Sequence, residues 1–177
     1  QRHVLFTGKR IMVRLWLGAV FGMLGAVMYA SKVIMEVMPN VHLIGIFVVA
    51  MTVVYRKKAL YPLYIFVVLT GLLNGFGIWW IPYLYIWTIL WAVTMLLPKN
   101  MSSKKAVIVY MVVCSAHGFL YGVLYAPFQA LAFGLSFKGT IAWITAGLPF
   151  DAIHGVSNFF LGTLILPLSK LFRRLSQ

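Results

Sequence analysis

Long apolar runs alternate with short basic ones along this chain. Apolar residues dominate Ile11–Met38, Val41–Tyr55, Leu60–Gly77, Pro82–Leu97, Ala106–Ala126 and Ile141–Leu168. Within each run the apolar positions are near-continuous. Strands of a membrane β-barrel would instead alternate lipid-facing and lumen-facing residues. Continuous apolarity predicts helices, because a helix satisfies its own backbone N–H and C=O groups in hydrocarbon. A bilayer core takes roughly 20 helical residues to cross. The pattern therefore predicts an all-α integral membrane protein, a single six-helix transmembrane domain over residues 1–177. Val41–Tyr55 is short for a span; "PN" before it and "RKK" after it mark its ends.

Composition agrees. Of the residues, 63% are hydrophobic and 10% charged, against about 25% charged in soluble domains. That balance leaves too little polar surface for a soluble monomer. The first apolar run is longer than a signal-peptide core and shows no cleavage site. The single cysteine, Cys114, sits in an apolar stretch and reads as a small buried hydrophobe. Neither a CxxC nor a Cys/His spacing points to a metal.

Charge sets an orientation. A net charge of +13 would suggest nucleic acid for a soluble protein. Here the basic residues cluster in four places: Arg2, Lys9, Arg10 and Arg14; Arg56, Lys57 and Lys58; Lys99, Lys104 and Lys105; Lys170, Arg173 and Arg174. With six spans, all four places fall on one side, and the positive-inside rule makes that side cytoplasmic, with both termini. The expected partner of this charge is the lipid bilayer, not nucleic acid. Lys32, Glu36, Lys138 and Asp151 then fall toward the outer side. Lys32 and Glu36, spaced i, i+4, either pair with each other or face a ligand.

Three constellations are candidates for function. In helix one, Gly18, Gly22, Ala26 and Ala30 recur every four residues. Small residues let helices approach closely in lipid, so this stripe either packs inside the chain or docks another membrane protein. The stretch "NGFGIWWIPYLYIW" (Asn74–Trp87) concentrates Trp79, Trp80, Tyr83 and Tyr85 in one outer loop. Such rings form an interfacial belt or a surface for a flat organic ligand. In "LPFDAIHGVSNFF", Asp151, His154 and Asn158 share a helical face at i, i+3, i+7. An ionisable group at that depth is costly unless paired or solvated. Asp151 either latches onto Lys32 or His154, or the face lines an outward pocket with the other polar groups near the outer helix ends, Asn40, His42, Asn74, Tyr121, Tyr125 and Gln129. Ala146–Pro149 suggests a broken or kinked helix start.

The chain carries no GxxxxGK[ST], HExxH or GxSxG motif; "GLSFKGT" (Gly134–Thr140) only loosely echoes the first. We therefore expect no catalytic residues, no metal and no cofactor. An intramembrane enzyme using Asp151 and His154 as an acid/base pair is the rival from another class, and a purely structural membrane subunit is a further one.

In layout, the chain resembles a substrate-binding S component of an energy-coupling factor (ECF) vitamin transporter. "GAVFGMLGAVMYASKVIMEVMPNVHLIG" (Gly18–Gly45), "GFGIWWIPYLYIW" (Gly75–Trp87) and "GLPFDAIHGVSN" (Gly147–Asn158) carry the likeness. In that family a small-residue motif on helix one contacts a shared transmembrane T component; Gly18, Gly22, Ala26 and Ala30 stand in the matching place, with Gly at two positions. The resemblance implies a bacterial plasma-membrane subunit that captures a vitamin from outside. It then topples against the T component and releases the vitamin inward, powered by two cytoplasmic ABC ATPases. With few outer charges and many rings, a large neutral vitamin is expected, cobalamin first. Riboflavin, queuosine-like and pyrimidine precursors stay open.

Overall fold

The computed structural model describes residues 2–176, with side chains from Ile11 onward; the side chains of Arg2, Lys9 and Arg10 lie outside the described ones. Every regular element among the described residues is helical. In chain order these are α1 (Arg2–Met35), α2 (Ile44–Tyr55), α3 (Leu60–Asn74), α4 (Tyr83–Leu96), α5 (Ser103–Phe119), α6 (Tyr121–Phe133), α7 (Phe137–Leu161) and α8 (Ile165–Leu175). Short 3-10 turns join α2 to α3, precede α4, and join α7 to α8.

Among the described residues, four helical stretches are long and apolar enough to cross a membrane: Ile11–Met35, Ile78–Leu96, Ser103–Phe133 and Phe137–Leu175. The other two expected spans fall short. At 1.5 Å per residue, the 12 residues of α2 and 15 of α3 rise only about 18 and 22 Å. Packing explains α2: every residue from Ile44 to Thr52 is buried. A helix apolar all round belongs inside, and one sheathed by its neighbours need not match the bilayer thickness.

The fifth apolar run does not form one helix. It breaks at Leu120, and α6 continues well beyond the expected end, through Pro127 to Phe133. The last run also differs: α7 starts at Phe137, takes Lys138 into its first turn, and passes through Pro149 without a break. It ends in a 3-10 turn at Gly162–Leu164, after which α8 carries Lys170, Arg173 and Arg174 on one side and buries Ile165, Ser169 and Phe172 on the other.

Glycine decides two of the closest approaches. A Cβ at Gly118 would lie 2.9 Å from the backbone of Gly155, so α5 and α7 meet main chain to main chain. Ser115 Oγ donates to Gly155 O at 2.8 Å across the same seam, and Asn158 Nδ2 donates to Cys114 O at 3.2 Å. On α1, Gly25 abuts Ile65 and the Pro62 carbonyl of α3. Phe21, Leu24 and Met28 are buried alongside it. That face leaves Gly18, Ala26 and Ala30 exposed on the outside of the bundle, with Gly22 half-exposed and no atom within 4 Å of a Cβ built on Gly18 or Gly22.

The basic loops gather at one end. Arg56 Nη2 donates to Met95 O at 2.7 Å, Trp91 Nε1 to Arg56 O at 3.1 Å, and Tyr55 Oη to Phe172 O at 3.0 Å. Trp16 Nε1 donates to Leu175 O at 2.9 Å and ties α1 to α8. Lys32 and Glu36 pair at 2.7 Å near the opposite end of α1.

Gly118→Ala should lower the unfolding temperature in detergent, since overpacking a tight contact costs about 1–3 kcal/mol. Gly18→Ala should be neutral or mildly stabilising, because helical Ala is favoured over Gly. Equal melting temperatures for the two variants would remove the α5–α7 seam from this account.

Candidate functional site

At the end opposite the basic loops, the segment after α1 folds back over α2. It turns at Asn40, whose φ of 60° is in the left-handed region that Asn tolerates better than most residues. Ser157 Oγ of α7 reaches the Asn40 carbonyl at 3.4 Å. This turn delivers His42 to the core. A cavity of about 180 Å³ lies beneath it, lined by Lys32, Glu36, Asn40, His42, Tyr83 and Trp87 among others.

Behind that wall stands a cluster of rings drawn from five places in the chain. His42 and His154 are 4.6 Å apart between ring centroids, and His42 and Trp87 5.7 Å. Trp87 in turn meets His117 at 5.5 Å and Tyr121 at 5.8 Å, while Tyr121 meets His154 at 5.1 Å. Tyr83 packs edge-on to Trp87 at 6.0 Å. Three of the four histidines in the chain meet here. Even so, among the described residues no group of three His, Cys, Asp or Glu side chains is placed to hold a metal ion.

Hydrogen bonding is incomplete in this region. Among the described residues, five buried polar atoms have no partner: His42 Nδ1, Trp87 Nε1, His117 Nδ1, His154 Nε2 and Asn158 Oδ1. Four of their residues are deeply placed, Trp87, His154 and Asn158 being 1%, 2% and 0% exposed and His117 buried with them, while His42 is half-buried. Buried polar atoms are nearly always paired, and each orphan costs about 1–3 kcal/mol. Partners elsewhere fix the role of several. His117 Nε2 lies 3.1 Å from Ile86 O, and a carbonyl only accepts. Nε2 therefore carries the proton and Nδ1 is a free acceptor. Asn158 donates through Nδ2 to Cys114 O, leaving Oδ1 as a second acceptor. Trp87 Nε1 is a free donor. Burial pushes the His42 imidazole down to about 4, so it is neutral at physiological pH and can donate or accept. With the Lys32–Glu36 pair neutralising itself at the cavity wall, a site of both donors and acceptors, walled by aromatic rings, suits a polar ring carrying N–H and C=O groups.

The expected site residues divide. Asn40, His42, Tyr83 and His154 come together at the cavity and the ring cluster, and Asn158 lies one turn further along α7 on the same buried face. Asp151, 7% exposed, points elsewhere: both carboxylate oxygens accept from Gly122 N at 3.1 Å. That bond caps the start of α6 and holds the break at Leu120. Its partner is thus neither Lys32, which is taken by Glu36, nor His154. Tyr85 donates to Leu124 O at 2.8 Å and Trp80 to Val67 O at 2.7 Å, which ties α4 and its preceding turn to neighbours. Trp79 is exposed and edges onto Tyr83 at 5.8 Å. Asn74 accepts from Tyr29 Oη at 3.0 Å on the outer surface, away from the histidines.

The sequence pattern does not single out His117; it places Tyr121 in the outward polar cluster and Trp87 at the end of the aromatic loop without assigning either to a ligand. A signal existed: His117, Tyr121 and Tyr125 are spaced i, i+4, i+8, a polar-tipped aromatic stripe within an apolar run. Comparison with protein-family profiles, curated proteins and solved structures finds no match.

Asp151→Ala should lower the melting temperature by removing the acceptor for the Gly122 N–H, a loss of about 1–3 kcal/mol. Asp151→Asn keeps an acceptor oxygen and should recover much of it. If Asn melts as low as Ala, the charge rather than the cap is what matters.

Proposed function

We propose that this chain is the substrate-capturing S component of an ECF-type importer. It takes a neutral, ring-containing vitamin or precursor at the His42–Trp87–His154 cluster from the non-cytoplasmic side. Five unpartnered buried polar atoms in and beside the ring cluster carry this reading, those of His42 and Trp87 on residues that line the cavity and those of His117, His154 and Asn158 behind it. A purely structural subunit has no need of them, since leaving a buried group unpaired destabilises the fold. A ligand that pairs with them repays that penalty on binding.

The remaining parts of the layout support the same reading. The basic end faces the cytoplasm by the positive-inside rule, with six crossings that include the short, sheathed α2 and the short α3. The exposed stripe of Gly18, Gly22, Ala26 and Ala30 is the docking face for a T component, which two ABC ATPases drive. The acid/base enzyme reading is weaker, because the Asp151 carboxylate is engaged by Gly122 N.

Cobalamin is the first ligand to test, and its corrin enters only if the Glu36–Leu43 segment swings out. A second reading has an observation of its own. The cavity of about 180 Å³ and the mixed donors and acceptors favour a single polar ring, such as a pyrimidine precursor, without opening.

Mass spectrometry of small molecules that copurify with the chain should find a neutral vitamin or a single-ring precursor bound in the absence of ATP. Recovery of apo protein that binds no vitamin in a calorimetric panel would defeat the proposal. His117→Ala and His154→Ala should each weaken binding by roughly tenfold, the scale of one lost hydrogen bond. Gly22→Leu or Ala26→Leu should abolish uptake in cells while the purified subunit binds normally. Loss of binding in those two variants would instead make the stripe part of the site's own support.

A further inference from the structure

The basic end holds a second, larger cavity that the proposed transport site leaves unused. Its volume is about 570 Å³, and Lys99, Lys170 and Arg173 line it together with Ser102, Ser103 and Tyr110. A compartment of about 210 Å³ adjoins it and shares Lys99, Tyr110, Arg173 and Val53, adding Arg56. Four cations thus surround one connected space. Neither acidic residue of the chain is among them: Glu36 pairs with Lys32, and Asp151 caps α6. The four have no carboxylate partner among the described residues.

Tyr110 is the observation that points to a ligand. It lines both compartments and is only 6% exposed, and its hydroxyl, without a hydrogen bond among the described residues, is open to the cavity. Above it the 17-residue α5 begins. Ser102 caps Lys105 N at 3.4 Å, while the first N–H groups of the helix have no partner and the dipole favours an anion. Arg56 is pinned beside the space, with a guanidinium on Met95 O and a φ of 54° that a non-glycine residue holds only under constraint. A cavity with four unneutralised cations, an unpaired tyrosine hydroxyl open to it and a helix N-terminus fits one ligand chemistry: a phosphate ester anion.

We infer that this cavity binds the phosphate headgroup of an anionic phospholipid from the leaflet at the basic end. Two features favour a lipid over free phosphate. The walls include Val53, Met101 and Leu166, apolar surface that acyl chains can follow. One wall is α8, an amphipathic helix with buried Ile165 and Phe172 opposite Lys170, Arg173 and Arg174, the pattern of a helix lying in the membrane interface. Juxtamembrane cations on the cytoplasmic face meet an anionic leaflet there.

The test uses the full chain, delipidated in neutral detergent and followed by thermal unfolding and native mass spectrometry. Titrated phosphatidylglycerol should raise the melting temperature saturably and leave one retained lipid; phosphatidylcholine should not. Inorganic phosphate at equal concentration should have little effect, and a full shift with phosphate alone would overturn the lipid source. Lys99→Gln/Arg173→Gln and, separately, Tyr110→Phe should raise the phosphatidylglycerol midpoint, by roughly tenfold for the double variant. Lys57→Gln/Lys58→Gln removes the same charge from exposed positions outside the cavity and should leave the midpoint unchanged. Equal weakening in both double variants would reduce the effect to diffuse surface charge and overturn the site. Should Lys99→Gln/Arg173→Gln fail to fold, the wild-type preference for phosphatidylglycerol over phosphatidylcholine still decides. Indifference between the two lipids overturns the inference.

Discussion

The main-chain contact between Gly118 and Gly155 is the constraint from which the half of the molecule opposite the basic loops follows. With no Cβ on either side, α5 and α7 approach until their backbones touch. At that distance Ser115 reaches Gly155 O, Asn158 reaches Cys114 O, and the Asp151 carboxylate reaches Gly122 N. The last of these bonds occupies an orphan donor at the start of a helix. It therefore stabilises a chain break at Leu120 that local propensity would not place inside an apolar run. The break redirects Tyr121 toward Trp87 and His154 while His117 stays on the α5 side of the same cluster. The histidines converge because two glycines let two helices touch.

How much of this was legible in the sequence depends on the range of the interaction. Helical character was legible, because apolar continuity is a local property. The shared face of Asp151, His154 and Asn158 was legible for the same reason, since it needs only the 3.6-residue period. What Asp151 would bond was not. Its partner is a backbone N–H about thirty residues away, and a backbone donor leaves no mark in residue types. The break at Leu120 was hidden with it. His117 was legible only in part: its stripe with Tyr121 and Tyr125 marks a helical face, but only the folded α4 brings Trp87 against it. The small-residue stripe of α1 shows a further limit. Spacing marks a close-packing surface, but which of two neighbouring rows faces inward was settled by Gly25 against Ile65 and Pro62.

The short α2 links fold to site. It runs from the outer cluster, just after His42, to Tyr55 and Arg56 at the basic end. Because its neighbours cover it, about 18 Å of helix suffices, and both of its ends stay inside the bundle. Each end therefore opens beneath a cavity rather than into a headgroup layer. A longer, lipid-matched helix would have carried His42 and Arg56 out toward water and separated them from Trp87 and Tyr110.

The scarcity of acids then divides the two ends chemically. Only Glu36 and Asp151 carry negative charge, and both are satisfied within the chain, one by Lys32 and the other by Gly122 N. The outer cluster is left with neutral donors and acceptors among rings. A strongly charged ligand would lose hydration there without gaining a counter-charge. The basic end is left with Arg56, Lys99, Lys170 and Arg173 around one space and no carboxylate to neutralise them. Like charges so placed repel unless an anion joins them. The neutral ring proposed at one end and the anionic headgroup proposed at the other would then answer the same shortage, each completing what the chain's own residues leave unpaired.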